Sequence, residues 1–455
     1  MKPSLPIERK YLFVALIGIF LLAVLAPDIA IRDADAYAYL IGSYSIRQGS
    51  GYADLLGTSL IHWPPGYSLL VSIFPDALAA SKWINYIAFG VTLALVFFLA
   101  RESEWNYVAA GGLCAALGFG FFRSIATNAS PDILQYALFL LGVLLYTRKT
   151  RRARLWGLIL WALIVPLKYI GLVFVPAGLV LDWRRVQDGA RLMAWQRALA
   201  GAIFVLVVAS LVFFNFASSG EWVSASHNAS SFSSVVKAFS EFVITAGRGF
   251  VSYWYGSIKE PLALVAFALM LVWGIAAFAT LRRARERVIF FQLGILILLF
   301  SGALTLVRDF GTSWRLMGYG PLTLLFGLRP LARWNWVWLG YGITAVCVGL
   351  LNMLTTNAVG ANDPRYQLMA QKLETRGLPA GVIASNSFHI LDVQLHHPST
   401  AVSETPRDGK YYLYVKLPAF DEIASSVTPL PPPEQEWCLM YEIDEAQLYQ
   451  RCDAP

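Results

Sequence analysis

The sequence predicts an all-α polytopic membrane protein with a small α/β domain at its C-terminal end. Three observations predict it. Hydrophobic residues make up 57% of the 455 residues and charged residues only 14%, against about 25% charged in ordinary soluble domains. Apolar runs recur up to about residue 355 and then stop. The Lys and Arg residues gather in short clusters between those runs, as cytoplasmic loops do. The formal charge of +7 therefore gives no reason to expect a nucleic-acid partner.

A spanning helix needs about 20 apolar residues. Lys2, Arg9 and Lys10 precede the first run (about 11–31), which places the N-terminus in the cytoplasm and the run's far end outside. No small-residue cleavage site follows, so the run reads as a retained span and not a signal peptide. The clusters "RKTRRAR" (148–154), "WRR" (183–185), "LRRARER" (281–287) and "RPLAR" (329–333) mark later cytoplasmic loops. One topology satisfies all of them if the short stretch 66–75, flanked by Pro64, Pro65 and Pro75, stays on the outer face or re-enters. Spans then follow at about 83–100, 107–122 and 133–147. A broken pair occupies 155–181, interrupted around Pro166-Leu167-Lys168 and expected to line a water-filled cavity. Further spans lie at about 198–216, 261–280, 288–306, 316–328 and 336–355. That makes about eleven crossings, a transmembrane domain over 1–355 with a first outer loop at 32–82, and a tail domain over 356–455 outside.

In this topology the outer face collects Asp33, Asp35, Arg47, His62, Trp63, Asn128, Asp132, Lys168, Tyr169, His227, Arg248, Arg308, Asp309 and Arg315. Charges at membrane depth are costly and tend to be paired or functional. Acids and bases meeting at one membrane face suit an anionic, lipid-embedded ligand: carboxylates for proton transfer, cations for a phosphate.

Four stretches resemble the GT-C class of integral-membrane glycosyltransferases, in the branch of the dolichyl-phosphate-mannose protein mannosyltransferases and the aminoarabinose transferase of lipid A. They are "DAYAYLIGSYSIRQGSGY" (35–52), "HWPPGYSLL" (62–70), "NASPDILQYALFLLGVLLYTR" (128–148) and "LIVPLKYIGLVFVPAGLVL" (163–181). The resemblance covers about residues 10–330 and rests on the order and spacing of the four. It implies transfer of a sugar from a polyprenyl-phosphate donor to a lipid, glycan or protein acceptor at the periplasmic face of a bacterial inner membrane. The first-loop acid would be the general base: Asp35 by its spacing to Tyr39 and Gly49-Ser50-Gly51, with Asp33 as the alternative. Apart from the resemblance, the chemistry assigns Lys168 and Arg315, with Arg308 in reserve, to the departing phosphate, with His62, Tyr39, Asp132 and Tyr169 as further substrate contacts. No nucleotide site is needed, and the sequence has no Gly-rich phosphate loop. No cofactor is expected, and a divalent metal is not indicated.

Each residue also has a plainer reading. Asp33 and Asp35 can be solvated acids beyond a span. Asp132, after Ser130-Pro131, suits a helix start, where an acid meets free N–H groups and the helix dipole. Lys168 can snorkel. Arg308, Asp309 and Arg315 can form a surface ion pair and an interfacial anchor, and His62 and Trp63 can belong to an aromatic belt. His389, His396 and His397 lack a convincing metal-ligand spacing. Cys114 and Cys347 read as packing, whereas Cys438 and Cys452 either pair in an oxidising compartment or stay free. The loop 217–260 reads as a lid over the site or an entry for the acceptor, with disorder of its first half as the alternative. In the tail, "PRYQLMAQKLETRG" reads as a helix, and "GVIAS", "KYYLYVKL" and "EWCLMYEI" as strands. An O-antigen polymerase or ligase is a rival reading, but such enzymes place their key Arg residues in a large late loop. A transporter is another, but transporters tend to repeat a broken helix in matched halves, and only one broken pair is found.

Overall fold

The computed structural model describes residues 13–20, 34–118, 122–184, 191–222, 268, 288–307, 318–327, 335–355, 364–385, 391, 395–401, 410–416 and 436–452. Asp33, His227, Arg248, Arg308, Asp309 and Arg315, and most of the expected lid, lie outside them. So do most of the spans expected at 11–31 and 261–280.

The described helices are α1 (Ala34–Arg47), α2 (Gly66–Ser72), α3 (Ala77–Glu102), α4 (Tyr107–Leu117), α5 (Asp132–Thr147), α6 (Arg151–Ala162), α7 (Phe174–Arg184), α8 (Ala194–Ser219), α9 (Val288–Val307), α10 (Tyr319–Gly327), α11 (Asn335–Thr355) and α12 (Pro364–Arg376), with short turns of helix between some of them. Among them α3 and α8, at 26 residues each, are long and apolar enough to cross a membrane. Two others are shorter than expected. The segment read as 107–122 is helical over Tyr107–Leu117 and again over Arg123–Ala126, and the segment read as 316–328 is helical over Tyr319–Gly327.

The chain forms two compact units: Met1–Pro27, Ile84–Ala126 and Pro131–Asn352 in the first, and Asp28–Trp83, Thr127–Ser130 and Met353–Pro455 in the second. In the first, α5 and α6 pack closely because residue 142 is glycine: a Cβ there would meet the Trp161 ring nitrogen at 2.1 Å. Trp161 Nε1 donates to the Phe139 carbonyl at 3.2 Å, and Tyr146 Oη donates to the Gly178 carbonyl at 2.7 Å, drawing α7 onto the same pair. The expected interruption is present. Residues 163–167 form turns, Lys168 is extended, and Tyr169–Val173 is a 3-10 helix leading into α7.

The far end of this helix group carries a polar clamp. Arg154 and Asp182 are both buried and lie 3.2 Å apart. Arg197 approaches the other Asp182 oxygen at 3.6 Å, and the Leu192 N–H donates to the same carboxylate. Arg154, the last residue of the "RKTRRAR" cluster, is thus not a solvated loop charge. Its Nε also donates to the Tyr146 carbonyl.

In the second unit the tail forms a five-stranded sheet, in the order β2-β1-β3-β5-β4. Its strands are β1 (Ile383–Ser385), β2 (Ser399–Ala401), β3 (Tyr411–Val415), β4 (Trp437–Ile443) and β5 (Ala446–Arg451). The first three run parallel, and β3-β5-β4 is antiparallel. Met369 and Leu373 of α12 pack with Ile383, Leu413 and Leu448 on one face. Tyr412, Trp437 and Tyr449 cluster on the other. Strands β2 and β5 are absent from the sequence reading: β2 has only three residues, and β5 mixes the buried Ala446, Leu448 and Tyr449 with Gln447, Gln450 and Arg451. Cys438 and Cys452 are joined as a disulfide, which settles the alternative left open above in favour of pairing.

Candidate functional site

In the second unit the first two motifs meet. Asp35 lies in the first turn of α1, where a carboxylate complements the positive end of the helix dipole. The Trp63 Nε1–H donates to Asp35 Oδ1 at 2.8 Å. The His62 ring stands edge-on to Trp63, with centroids 4.6 Å apart. Asp35, His62 and Trp63 are all half-buried.

Other parts of these motifs hold the acid in place. Gly49 and Gly51 take φ of 75° and 83°, a backbone region in which β-carbons are strained, and so end α1 and turn the chain back. Tyr39 is fully buried, its ring edge-on to Tyr67 at 5.5 Å, and Ser68 Oγ donates to the Tyr39 carbonyl at 2.8 Å. Tyr39 thus packs α1 on α2. Arg47 donates to the carbonyls of Phe74 and Pro75, which fastens the end of α1 to the turn before α3. The Pro64-Pro65 pair comes directly before α2, in a loop where a missing N–H costs nothing.

In the first unit the third and fourth motifs meet. Lys168 Nζ lies 2.6 Å from Asp132 Oδ1, with side-chain exposures of 10% and 2%. Asp132 is the first residue of α5, and Pro131, not Asp132, holds the cap position. Asp132 thus stands in the first turn, as a helix-start acid does, and in addition pairs with a cation 36 residues away, which the sequence reading lacked. The break does not line a wet cavity along its whole length. Ile164, Val165, Lys168, Ile170 and Gly171 are buried, and the break's charge is met by Asp132. Tyr169 Oη accepts from Asn215 Nδ2 of α8 at 3.4 Å. One turn below Asp132, the Tyr136 ring stacks on Tyr319 at 4.1 Å. Asp182 and Gln135, both buried and polar, were not singled out in the sequence. The former sits beside a Trp-Arg-Arg cluster, and the latter is one polar residue in an apolar run.

Chemically, the first site offers an oriented carboxylate and the second a charge-balanced polar centre walled by aromatic rings. Among the described residues no group of three or more His, Cys, Asp or Glu side chains is arranged to hold a metal ion.

No protein-family model matches this chain, and no curated protein matches it. Among solved structures the chain is similar to ArnT from Cupriavidus metallidurans bound to undecaprenyl phosphate, at 13% identity and a TM-score of 0.49, covering 98% of each chain. It is also similar to the apo state of the same protein, at 12% identity and 0.48, covering 97% of each. At these values the likeness carries no weight for function, which rests on the side chains above.

Proposed function

We propose that this chain is a membrane glycosyltransferase. It moves a glycosyl group from a polyprenyl-phosphate-linked sugar to a lipid, glycan or protein acceptor on the periplasmic side of a bacterial inner membrane. The observation that carries the reading is the Trp63–Asp35 hydrogen bond. It joins two separate first-loop motifs around one carboxylate, an arrangement a merely solvated acid does not need.

In this reading Asp35, with Asp33 as the alternative, takes the proton of the acceptor hydroxyl. The acceptor oxygen bonds to the anomeric carbon, the bond from that carbon to the phosphate oxygen breaks, and the electron pair leaves with the phosphate. The leaving group is already good, so the remaining task is to stabilise charge on the departing phosphate. Lys168 is paired with Asp132 and so brings little net charge, which makes Arg315 and Arg308 the stronger candidates for phosphate contact. The tail disulfide supports an oxidising compartment for the C-terminal domain, in keeping with an N-in topology.

The test is mass spectrometry of lipid-linked glycans from cells with and without the gene, followed by transfer assays on the purified protein with polyprenyl-phosphate sugars. Accumulation of one unconsumed polyprenyl-phosphate sugar in the deletion strain is expected. Unchanged glycans together with solute uptake by vesicles would revive the transporter reading.

A further inference from the structure

The helix α5 presents a stripe at heptad spacing, Asp132, Gln135, Phe139, Gly142 and Tyr146, and spacings of three, four and seven residues share one helix face. Four of the five meet the α6–α7 pair or the break between them. Asp132 takes Lys168. Phe139 packs on Phe174 at 4.7 Å and on Trp161 at 6.1 Å. Gly142 admits the Trp161 ring, and Tyr146 reaches the Gly178 carbonyl.

The fifth residue is different. Gln135 is completely buried, and among the described residues neither Nε2 nor Oε1 has a hydrogen-bond partner. A buried amide left in this state is costly, and native proteins rarely leave one without a ligand or ordered water to satisfy it. Phe139 and its aromatic neighbours close the side below. Asp132, with its partner Lys168, lies one turn above the amide on the same helix face.

We infer that Gln135 is a substrate-binding residue whose amide recognises a neutral, hydroxyl-bearing group, the sugar of the lipid-linked donor, beside the Asp132–Lys168 pair. This rests on the glycosyltransferase reading above. Two features select a hydroxyl over a phosphate. An amide offers a donor and an acceptor, matching a hydroxyl that is also both, whereas an ionised phosphate chiefly accepts. The adjacent carboxylate and ammonium also cancel, so the position carries no net charge to attract an anion.

The test uses the purified full-length protein and its Gln135→Leu variant, with polyprenyl phosphate and polyprenyl-phosphate-linked glucose, mannose and arabinose as probes. Leucine is close in size and removes both unpaired polar atoms, so the variant should fold with a melting temperature at or above that of the wild type. In the wild type, at least one sugar-loaded lipid should raise the melting temperature beyond bare polyprenyl phosphate. In Gln135→Leu that difference should vanish. The KM for that donor should rise by about tenfold, as loss of one net hydrogen bond implies, with kcat within about twofold. A variant that keeps the wild-type preference and KM overturns the inference and leaves the glycosyltransferase reading standing. Equal stabilisation of the wild type by bare and sugar-loaded lipid overturns the sugar assignment alone. A wild type stabilised by none of the four lipids overturns the donor reading, and this inference with it.

Discussion

The indole N–H of Trp63 lies 2.8 Å from a carboxylate oxygen of Asp35, across 28 residues of sequence. Such a bond fixes which way the acid points. Replacing the donor with an apolar ring keeps the acid and frees its orientation. Trp63→Phe is expected to lower kcat/KM for glycosyl transfer by about ten- to a hundredfold, the range for losing a hydrogen bond to a charged group. Assays of purified protein with a polyprenyl-phosphate sugar, with circular dichroism as a check on folding, measure it.

The buried pair Asp132–Lys168 makes a different prediction, about stability. Removing one partner strands the other charge, which typically costs about 3–5 kcal/mol, whereas replacing both with apolar side chains of similar size is often neutral. Asp132→Asn and Lys168→Met should each lower the melting temperature markedly. The double variant Asp132→Leu/Lys168→Met should recover most of the loss while remaining inactive if the pair borders the substrate. Thermal unfolding of the three variants tests it.

These two contacts show what the sequence made legible. The interruption near Lys168, the helix start near Asp132 and the acid of α1 are local features, written in proline positions, apolar run lengths and charge clusters. The pairing of Asp132 with Lys168 depends on how α5 meets the broken pair, and no local pattern encodes it, so Asp132 reads as a helix-start acid. Asp182 was missed for a related reason: an acid beside Trp183 and Arg184 looks like part of a solvated loop until Arg154 and Arg197 arrive from other helices. Gln135 is invisible to periodicity because one polar residue barely alters an apolar helix. Strand β2 is three residues long and β5 mixes apolar and polar residues without a regular alternation, so both are defined by the strands they pair with.

The disulfide between Cys438 and Cys452 spans a sequence separation of 14 residues. Loops of that size contribute about 3 kcal/mol in the chain-entropy picture. Cys438→Ser should therefore speed hydrogen exchange across β4 and β5 and leave α5–α7 unchanged. In intact cells, a membrane-impermeant thiol reagent should label the tail only after reduction. Labelling without reductant would show the two thiols free on the outer side, and no labelling even after reduction would place the tail behind the membrane.

The tail also carries a pH signature. Hydrogen bonds from Lys372 hold the Asp444 carboxyl below its ordinary value, and those from Lys416 and Gln447 do the same for Glu442. Hydrogen bonds to Glu445 and Asp444 hold the Lys372 ammonium above its own. The depressed carboxylates add stability above the ordinary carboxylate range, lost as pH falls through their folded values. The raised lysine adds stability below the ordinary lysine value, lost as pH rises through its folded value. The charges are exposed, so the effect is small and weakens with salt. Protection against exchange at α12 and the β4–β5 hairpin, corrected for the intrinsic pH dependence of amide exchange, should be greatest near neutral pH and lower by about pH 3, where the carboxylates protonate.

The most direct test of the base assignment is the rate of glycosyl transfer by Asp35→Asn and Asp33→Asn, each as full-length protein in membranes with a defined polyprenyl-phosphate sugar. Loss of a general base predicts a fall in kcat of at least about a hundredfold in one of the two, Asp35→Asn first, with donor binding retained. Full transfer by both variants would contradict the mechanism.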